Sequence, residues 1–201
     1  MKSTLITSLL AITATASALP SWGSSKGDNK PWSGSKGDHK SWGSPDVFTF
    51  TSTYKVHATP DQVVSTANEY TGGLPGTTAT YLFGLAPAQN TICYNITLYN
   101  FRGDYQSPAI SATHIHEAVK GKSGPPRIAF PNPVWGEGDM EGVRTSIGCI
   151  RGPFMTGVMA PAGGDTGAGF HVSQIEKNPA GFFSDVHSSL AVPGAVRGQL
   201  A

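Results

Sequence analysis

Six histidines are present in the 201 residues, and the spacing of two of them is the clearest chemical signal. His114-Ile115-His116 sits in a run of strand-forming residues. Residues two apart in a strand point the same way, so both imidazoles share one face a few ångströms apart. Paired imidazoles are good ligands for one copper or zinc ion. Two ligands do not complete a site, and a third must come from elsewhere in the chain. His187, in Ser184-Asp185-Val186-His187 of a late strand, is the best candidate, and His171, after a glycine-rich loop, is a fourth. Glu117 points to the opposite face from the pair and is a poorer ligand. His39 and His57 lie outside the pattern. The ordinary alternative is a pair of histidines hydrogen-bonded within a sheet. Ring nitrogens approaching within ~3–4 Å of one another would fit ligands around one ion at ~2.0–2.1 Å.

Other catalytic patterns fail. No Ser-His-Asp order and no motif-placed pair of carboxylates is found. Gly23-Ser24-Ser25-Lys26-Gly27 fits the Gly-x-Ser-x-Gly pattern, but no strand precedes it and no helix follows, as a nucleophile elbow requires. Arg197, in the last strand, is read from its residue type as pairing a carboxylate such as Asp185 within the sheet. With no catalytic set evident, an enzyme is the less favoured reading.

The elements that must position these residues are short strands. Charged residues make up only 13% of the chain, against 25 glycines and 15 prolines, which favours many strands and turns over a helical bundle. Phe48, Phe50, Tyr54 and Val56 alternate as a half-buried strand does. Thr59-Pro60-Asp61-Gln62 has the form of a helix start, closed by Gly72-Gly73. Further strands are expected over 78–85, 91–99, 109–117, 127–130, 143–150, 182–188 and 195–200, with a short helix over 172–177. In the 91–99 strand Ile92, Tyr94, Ile96 and Leu98 share one face, and Cys93, Asn95, Thr97 and Tyr99 the other. The expected fold is all-β: an antiparallel β-sandwich or barrel-like domain with short helical turns, preceded by a disordered arm.

Residues 1–18 read as a cleavable leader: Lys2, an apolar run from Leu5 to Ala14, and Ala16-Ser17-Ala18 as the cleavage site. The run is too short to span a bilayer, which takes ~20 residues. No later stretch spans, and the C-terminus has no lipid-anchor tail. The product is expected to be secreted. The formal net charge of +1 falls to zero once Lys2 is removed, so neither nucleic acid nor an anionic membrane is an expected partner. Cys93 and Cys149 are expected to bond in that compartment, and Asn95-Ile96-Thr97 is a glycosylation acceptor in a eukaryotic host. Residues 19–45 hold a decapeptide repeat with one tryptophan per unit (Trp22, Trp32, Trp42) and too little apolar content for a core. It reads as a spacer arm, or as a set of stickers for sugar rings or a partner's apolar surface. The layout is then leader 1–18, arm 19–45, an N-terminal strand and helical turn over 46–75 packing on the domain, and a β domain over 76–201.

Within that last segment the chain resembles the CHRD domain family, named after chordin and found also in secreted microbial proteins. The marks are Cys93-Tyr94 in its strand, Thr113-His114-Ile115-His116, Gly124-Pro125-Pro126, Asp185-Val186-His187-Ser188 and Gly194-Ala195-Val196-Arg197-Gly198-Gln199-Leu200. The resemblance implies an extracellular all-β domain with no settled general activity. The run His114-Ile115-His116-Glu117 is also similar to the His-Val-His-Glu strand of copper/zinc superoxide dismutases. That likeness implies copper on His114, His116 and His187, with Arg197 as the anion guide. It carries no counterpart of the bridging histidine and zinc ligands in the loop 132–141. The leading expectation is a non-enzymatic extracellular binding or structural protein of a matrix or wall, with a protein or polysaccharide partner. The rivals are a copper or zinc protein, including a dismutase-like copper oxidoreductase, and a polysaccharide binder using the tryptophan arm.

Overall fold

The structure, a computed structural model, describes residues 49–136 and 142–201. The leader, the tryptophan repeat, Phe48 and residues 137–141 lie outside the described residues. Eight strands follow in order: β1 (Ser52–Ala58), β2 (Thr78–Ala86), β3 (Thr91–Tyr99), β4 (Thr113–Glu117), β5 (Pro126–Phe130), β6 (Val143–Arg151), β7 (Phe182–Ser188) and β8 (Ala191–Gln199). One short helix, α1 (Ser173–Lys177), precedes β7. The strands form two antiparallel four-stranded sheets, ordered β1-β2-β3-β6 and β5-β4-β7-β8. This is the expected all-β sandwich.

Alternation builds the core. In β3, Ile92, Tyr94, Ile96 and Leu98 are buried, while Cys93, Asn95 and Thr97 are only partly covered. Tyr81, Phe83 and Leu85 of β2 join them from the first sheet, and Ile115, Ile128, Phe130, Val186 and Val196 come from the second. Phe130 stacks on Phe83 and tilts against Tyr94, tying the two layers together. The sheets also meet along one edge, where Thr59 and Arg197 exchange both backbone hydrogen bonds. Gly198 lies at that seam. A Cβ there would stand 2.7 Å from the His57 carbonyl oxygen, so the close approach of β1 to β8 needs glycine.

Several boundaries differ from expectation for local reasons. The strand expected over 109–117 begins only at Thr113. Upstream, Ile110 N–H bonds to the Thr156 carbonyl and Ala112 N–H to the Asn132 side chain, so this segment spends its donors on loops. The helix start at Thr59 becomes a single 3-10 turn over Pro60–Gln62, with Gln62 Nε2 donating to Thr59 Oγ1 at 2.9 Å. The last strand starts earlier than expected, at Ala191, and runs through Pro193 and Gly194. Gly194 tolerates φ +142°, which absorbs the irregularity in the β7–β8 pairing.

Cys93 and Cys149 are direct cross-strand partners on β3 and β6, and they are bonded. The bond lies on the outer face of the first sheet, away from the histidines. Replacing both cysteines by alanine is expected to lower unfolding free energy by about 2–4 kcal/mol, read from urea transitions. The geometry of the second sheet should survive under native conditions, since neither cysteine lies in it.

Candidate metal centre

The register of the second sheet assembles the site. Across β4, β7 and β8, His114 is opposite Asp185 and Asp185 is opposite Arg197. One step along, His116 is opposite Phe183 and Phe183 opposite Gln199. Direct partners share a face, and residues two apart share it too. His114, His116, Phe183, Asp185, His187 and Arg197 therefore all stand on the face of this sheet that turns away from the sandwich core. Ile115, Val186 and Val196 alternate with them and face inward. That outer face is not left to solvent. His114 is 1% exposed, His116 9%, Asp185 4% and Arg197 3%.

The three expected histidines converge, and Asp185 joins them. One ligand atom from each of His114, His116, Asp185 and His187 lies within 4.8 Å of all the others. His114 Nδ1 and His116 Nε2 are 3.4 Å apart. From the carboxylate, Oδ1 is 3.5 Å from His114 Nδ1, and Oδ2 is 3.3 Å from His116 Nε2 and 3.1 Å from His187 Nε2. Four donors around a tetrahedral ion at ~2.0–2.1 Å would lie ~3.3–3.4 Å apart.

The far nitrogen of every ring is held by a main-chain carbonyl. His114 Nε2 meets the Ser111 oxygen at 2.7 Å, His116 Nδ1 the Gly124 oxygen at 2.8 Å, and His187 Nδ1 the Val192 oxygen at 3.0 Å. A carbonyl oxygen only accepts, so each of these nitrogens carries a proton. In the neutral imidazole the other nitrogen is then a lone pair, and all three lone pairs face Asp185. Metal-ligating histidines are held in this way, with the outer N–H given to a carbonyl or carboxylate. At Gly124 the hold depends on the residue type. A Cβ there would stand 2.0 Å from the Glu117 carbonyl oxygen, so only glycine lets this loop come close enough to His116.

Electrostatically the cluster has no fixed cation. Asp185 Oδ1 is buried and has no hydrogen-bond partner. Burial alone would raise the Asp185 pKa, but positive charge on His116 and His187, and donation from the histidine rings in their protonated forms, hold it well below the usual carboxylate range. Burial pushes His114 down, more than its contact with Asp185 restores. For His187 burial also works downward, but the Asp185 carboxylate and the Val192 carbonyl overcome it and raise the pKa to about 9. Without a metal, His187 is thus the ring that holds the compensating proton.

Arg197 forms no ion pair with Asp185, contrary to that expectation, although the two are cross-strand partners. Its guanidinium donates instead to the Lys122 oxygen at 2.7 Å and the Val119 oxygen at 3.1 Å. It lies 3.5 Å over the Phe183 ring, whose plane is nearly parallel to His116 at 4.9 Å between centroids. Two carbonyls and an aromatic face satisfy the cation locally, which frees Asp185 for the histidines. His116, Asp185, His187 and Arg197 all line one cavity of about 410 Å³, walled by Val63, Val64, Pro108 and Val192 among others. His171 does not reach the group: it stands before α1 and bonds Ser173 at 2.9 Å. Glu117 is ion-paired to Arg127 at 2.7 Å, as suits a residue on the opposite face. Asp185 was not expected as a donor, yet the parity that joins His187 to His114 and His116 also includes Asp185.

A family model of the CHRD domain matches residues 54–200. The chain therefore belongs to the CHRD domain family, an extracellular type of domain. The match begins inside β1 and closes just after β8, so both sheets fall within it. No match was found among curated proteins or among solved structures.

The Asp185–His187 pair predicts how metal-free protein responds to pH. The folded His187 pKa of about 9 exceeds the unfolded value of 6.5. Its contribution to stability is full below the unfolded value and is lost as pH rises through the folded one. Urea midpoints measured in chelator should fall between pH 6.5 and 9, and His187→Gln should flatten that slope. A wild-type midpoint constant over this window would contradict the pairing.

Proposed function

We propose that this protein is an extracellular metal-binding CHRD domain holding one copper or zinc ion on His114, His116, His187 and Asp185. One observation carries the reading. Three imidazoles spend their N–H groups on carbonyls and turn their lone pairs on a buried carboxylate with an unpartnered oxygen. Hydrogen bonds among themselves cannot satisfy four acceptors, whereas one cation satisfies them all. Nitrogen-rich donors with one carboxylate suit zinc and copper, and the general order of divalent affinities puts copper(II) first. This reading is compatible with a non-enzymatic binding or structural role, since a buried ion can act by holding three loops in place.

The test is elemental analysis of purified protein after equilibration with equimolar copper(II) or zinc and removal of excess ion. About one ion per chain is expected. The His114→Ala/His116→Ala double variant should retain less than a tenth of it, and Asp185→Asn should bind at least ~10-fold more weakly. Folded wild-type protein that takes up neither ion sinks the proposal.

The cavity supports a second reading, a copper oxidoreductase of the dismutase kind. His116, Asp185 and His187 face a space wide enough for a small ligand, with Arg197 in its wall. A bound copper would supply one-electron redox chemistry there. The protein's own part would be to admit the substrate, keep the ligand rings oriented and present the Arg197 cation to an anion. Superoxide disproportionation by copper-loaded protein, lowered in Arg197→Met without loss of copper, would favour this reading. Absent activity with full copper occupancy leaves the binding role alone. Export and matrix or wall association belong to the same proposal and rest on the leader and the tryptophan repeat. Deleting residues 21–44 should abolish retention on insoluble polysaccharide if that arm is the contact.

A further inference from the structure

The outer face of the first sheet carries an apolar patch with a polar residue at its centre. Asn95 of β3 lies between Leu82 of β2 and Ile147 of β6, its direct cross-strand partners. Leu82 is 41% exposed and Ile147 70%. The next row along the same face holds Gly84, Cys93 and Cys149. The Phe50 ring lies over Gly84, where a Cβ would be 2.8 Å from it. Together Phe50, Leu82, Asn95, Ile147 and the disulfide line a shallow groove of about 540 Å³. The Asn95 side chain makes no hydrogen bond among the described residues, and Thr97, two residues on, completes an Asn-x-Thr acceptor on the same face.

We propose that Asn95 carries an N-linked glycan whose first sugars lie over Leu82, Ile147 and the Cys93–Cys149 bond. Two features of the face point to a sugar rather than a protein partner. A protein docking here would bury the Asn95 amide with nothing on its own sheet to satisfy it. A glycan is attached through that amide nitrogen, so the central polar atom becomes the point of attachment. Sugar rings also present C–H-rich faces to apolar side chains while keeping their hydroxyls in water, which suits a polar atom ringed by aliphatic ones. The patch would otherwise be an open apolar area beside β6, an edge strand of its sheet, where association between copies starts easily. Attachment is balanced simply: the Asn95 amide nitrogen forms a bond to the sugar's anomeric carbon and loses a proton, and the diphosphate of a lipid-linked oligosaccharide donor leaves. It takes place on the unfolded chain, so the mid-strand position of Asn95 is no obstacle.

The test is secretion from a eukaryotic host followed by intact mass measurement. Wild type and Thr97→Ser should carry one glycan; Asn95→Gln and Thr97→Ala should carry none. Enzymatic removal of the glycan from folded wild-type protein avoids any folding defect in the variants. It should raise the fluorescence of a hydrophobic dye several-fold and promote self-association in light scattering. Leu82→Thr/Ile147→Thr should cancel that increase, locating it on this face. Secreted wild type unmodified at Asn95 overturns the proposal. A glycan whose removal leaves dye binding and association unchanged overturns the covering role.

Discussion

A buried carboxylate must meet positive charge, and in this fold the requirement falls on Asp185. At 4% exposure it has lost its water, and one of its oxygens has no donor at all. An uncompensated charge in such a place costs several kcal/mol or more. Around it the protein has placed three imidazoles whose N–H groups are already committed to Ser111, Gly124 and Val192. Each of those carbonyls belongs to a different stretch of chain: the approach to β4, the loop before β5 and the start of β8. The loops over this sheet are therefore tied to the charge balance beneath them.

The same strands serve two purposes through their two faces. Ile115 and Val186 point into the sandwich and are fully buried, while their neighbours His114, His116, Asp185 and His187 point outward. Because the inner residues lock the register, the outer ones are locked with it. A one-residue slip would send the histidines into the core. Arg197 extends the arrangement. Its backbone joins the two sheets at Thr59, and its guanidinium grips the Val119 and Lys122 carbonyls of the loop that leads to Gly124. Gln199 adds a bond to the Ala118 carbonyl of that same loop at 2.9 Å. Phe183, between Arg197 and His116, turns this hold on the loop into a fixed ring plane for His116.

Much of this was readable from residue order, and what was not has physical reasons. Period-two alternation located β3 to the residue and showed that the two histidines share a face. Cys93 and Cys149 were expected to pair, and the two are bonded. The resemblance was placed on residues 76–201, whereas the family model starts at residue 54 and so takes in most of β1 as well. Sheet order was out of reach, because pairing of β3 with β6 or β4 with β7 joins segments roughly fifty to seventy residues apart and leaves no local mark. Asp185 was misread for a different reason. Its nearest opposite charge in the sheet is Arg197, and pairing the two is the ordinary expectation for a buried carboxylate. Nothing local shows that Arg197 is already satisfied by carbonyls of residues 119 and 122 and by an aromatic face.

That diversion of Arg197 separates this group of side chains from an ordinary polar cluster. In an ordinary cluster each histidine would donate to the carboxylate, and the arginine would neutralise it. Here the histidine donors point outward and the arginine is engaged elsewhere, so the count inside runs to three lone pairs and one anion against no fixed cation. A single proton on His187 corrects only part of this. It gives Asp185 Oδ2 a donor, but leaves Oδ1 beside the His114 lone pair at 3.5 Å and Oδ2 beside that of His116 at 3.3 Å. Adding further protons would place like charges on rings whose centroids are 5.2–6.0 Å apart. A divalent ion at the centre would meet all four acceptors at once and turn each unfavourable contact into a bond.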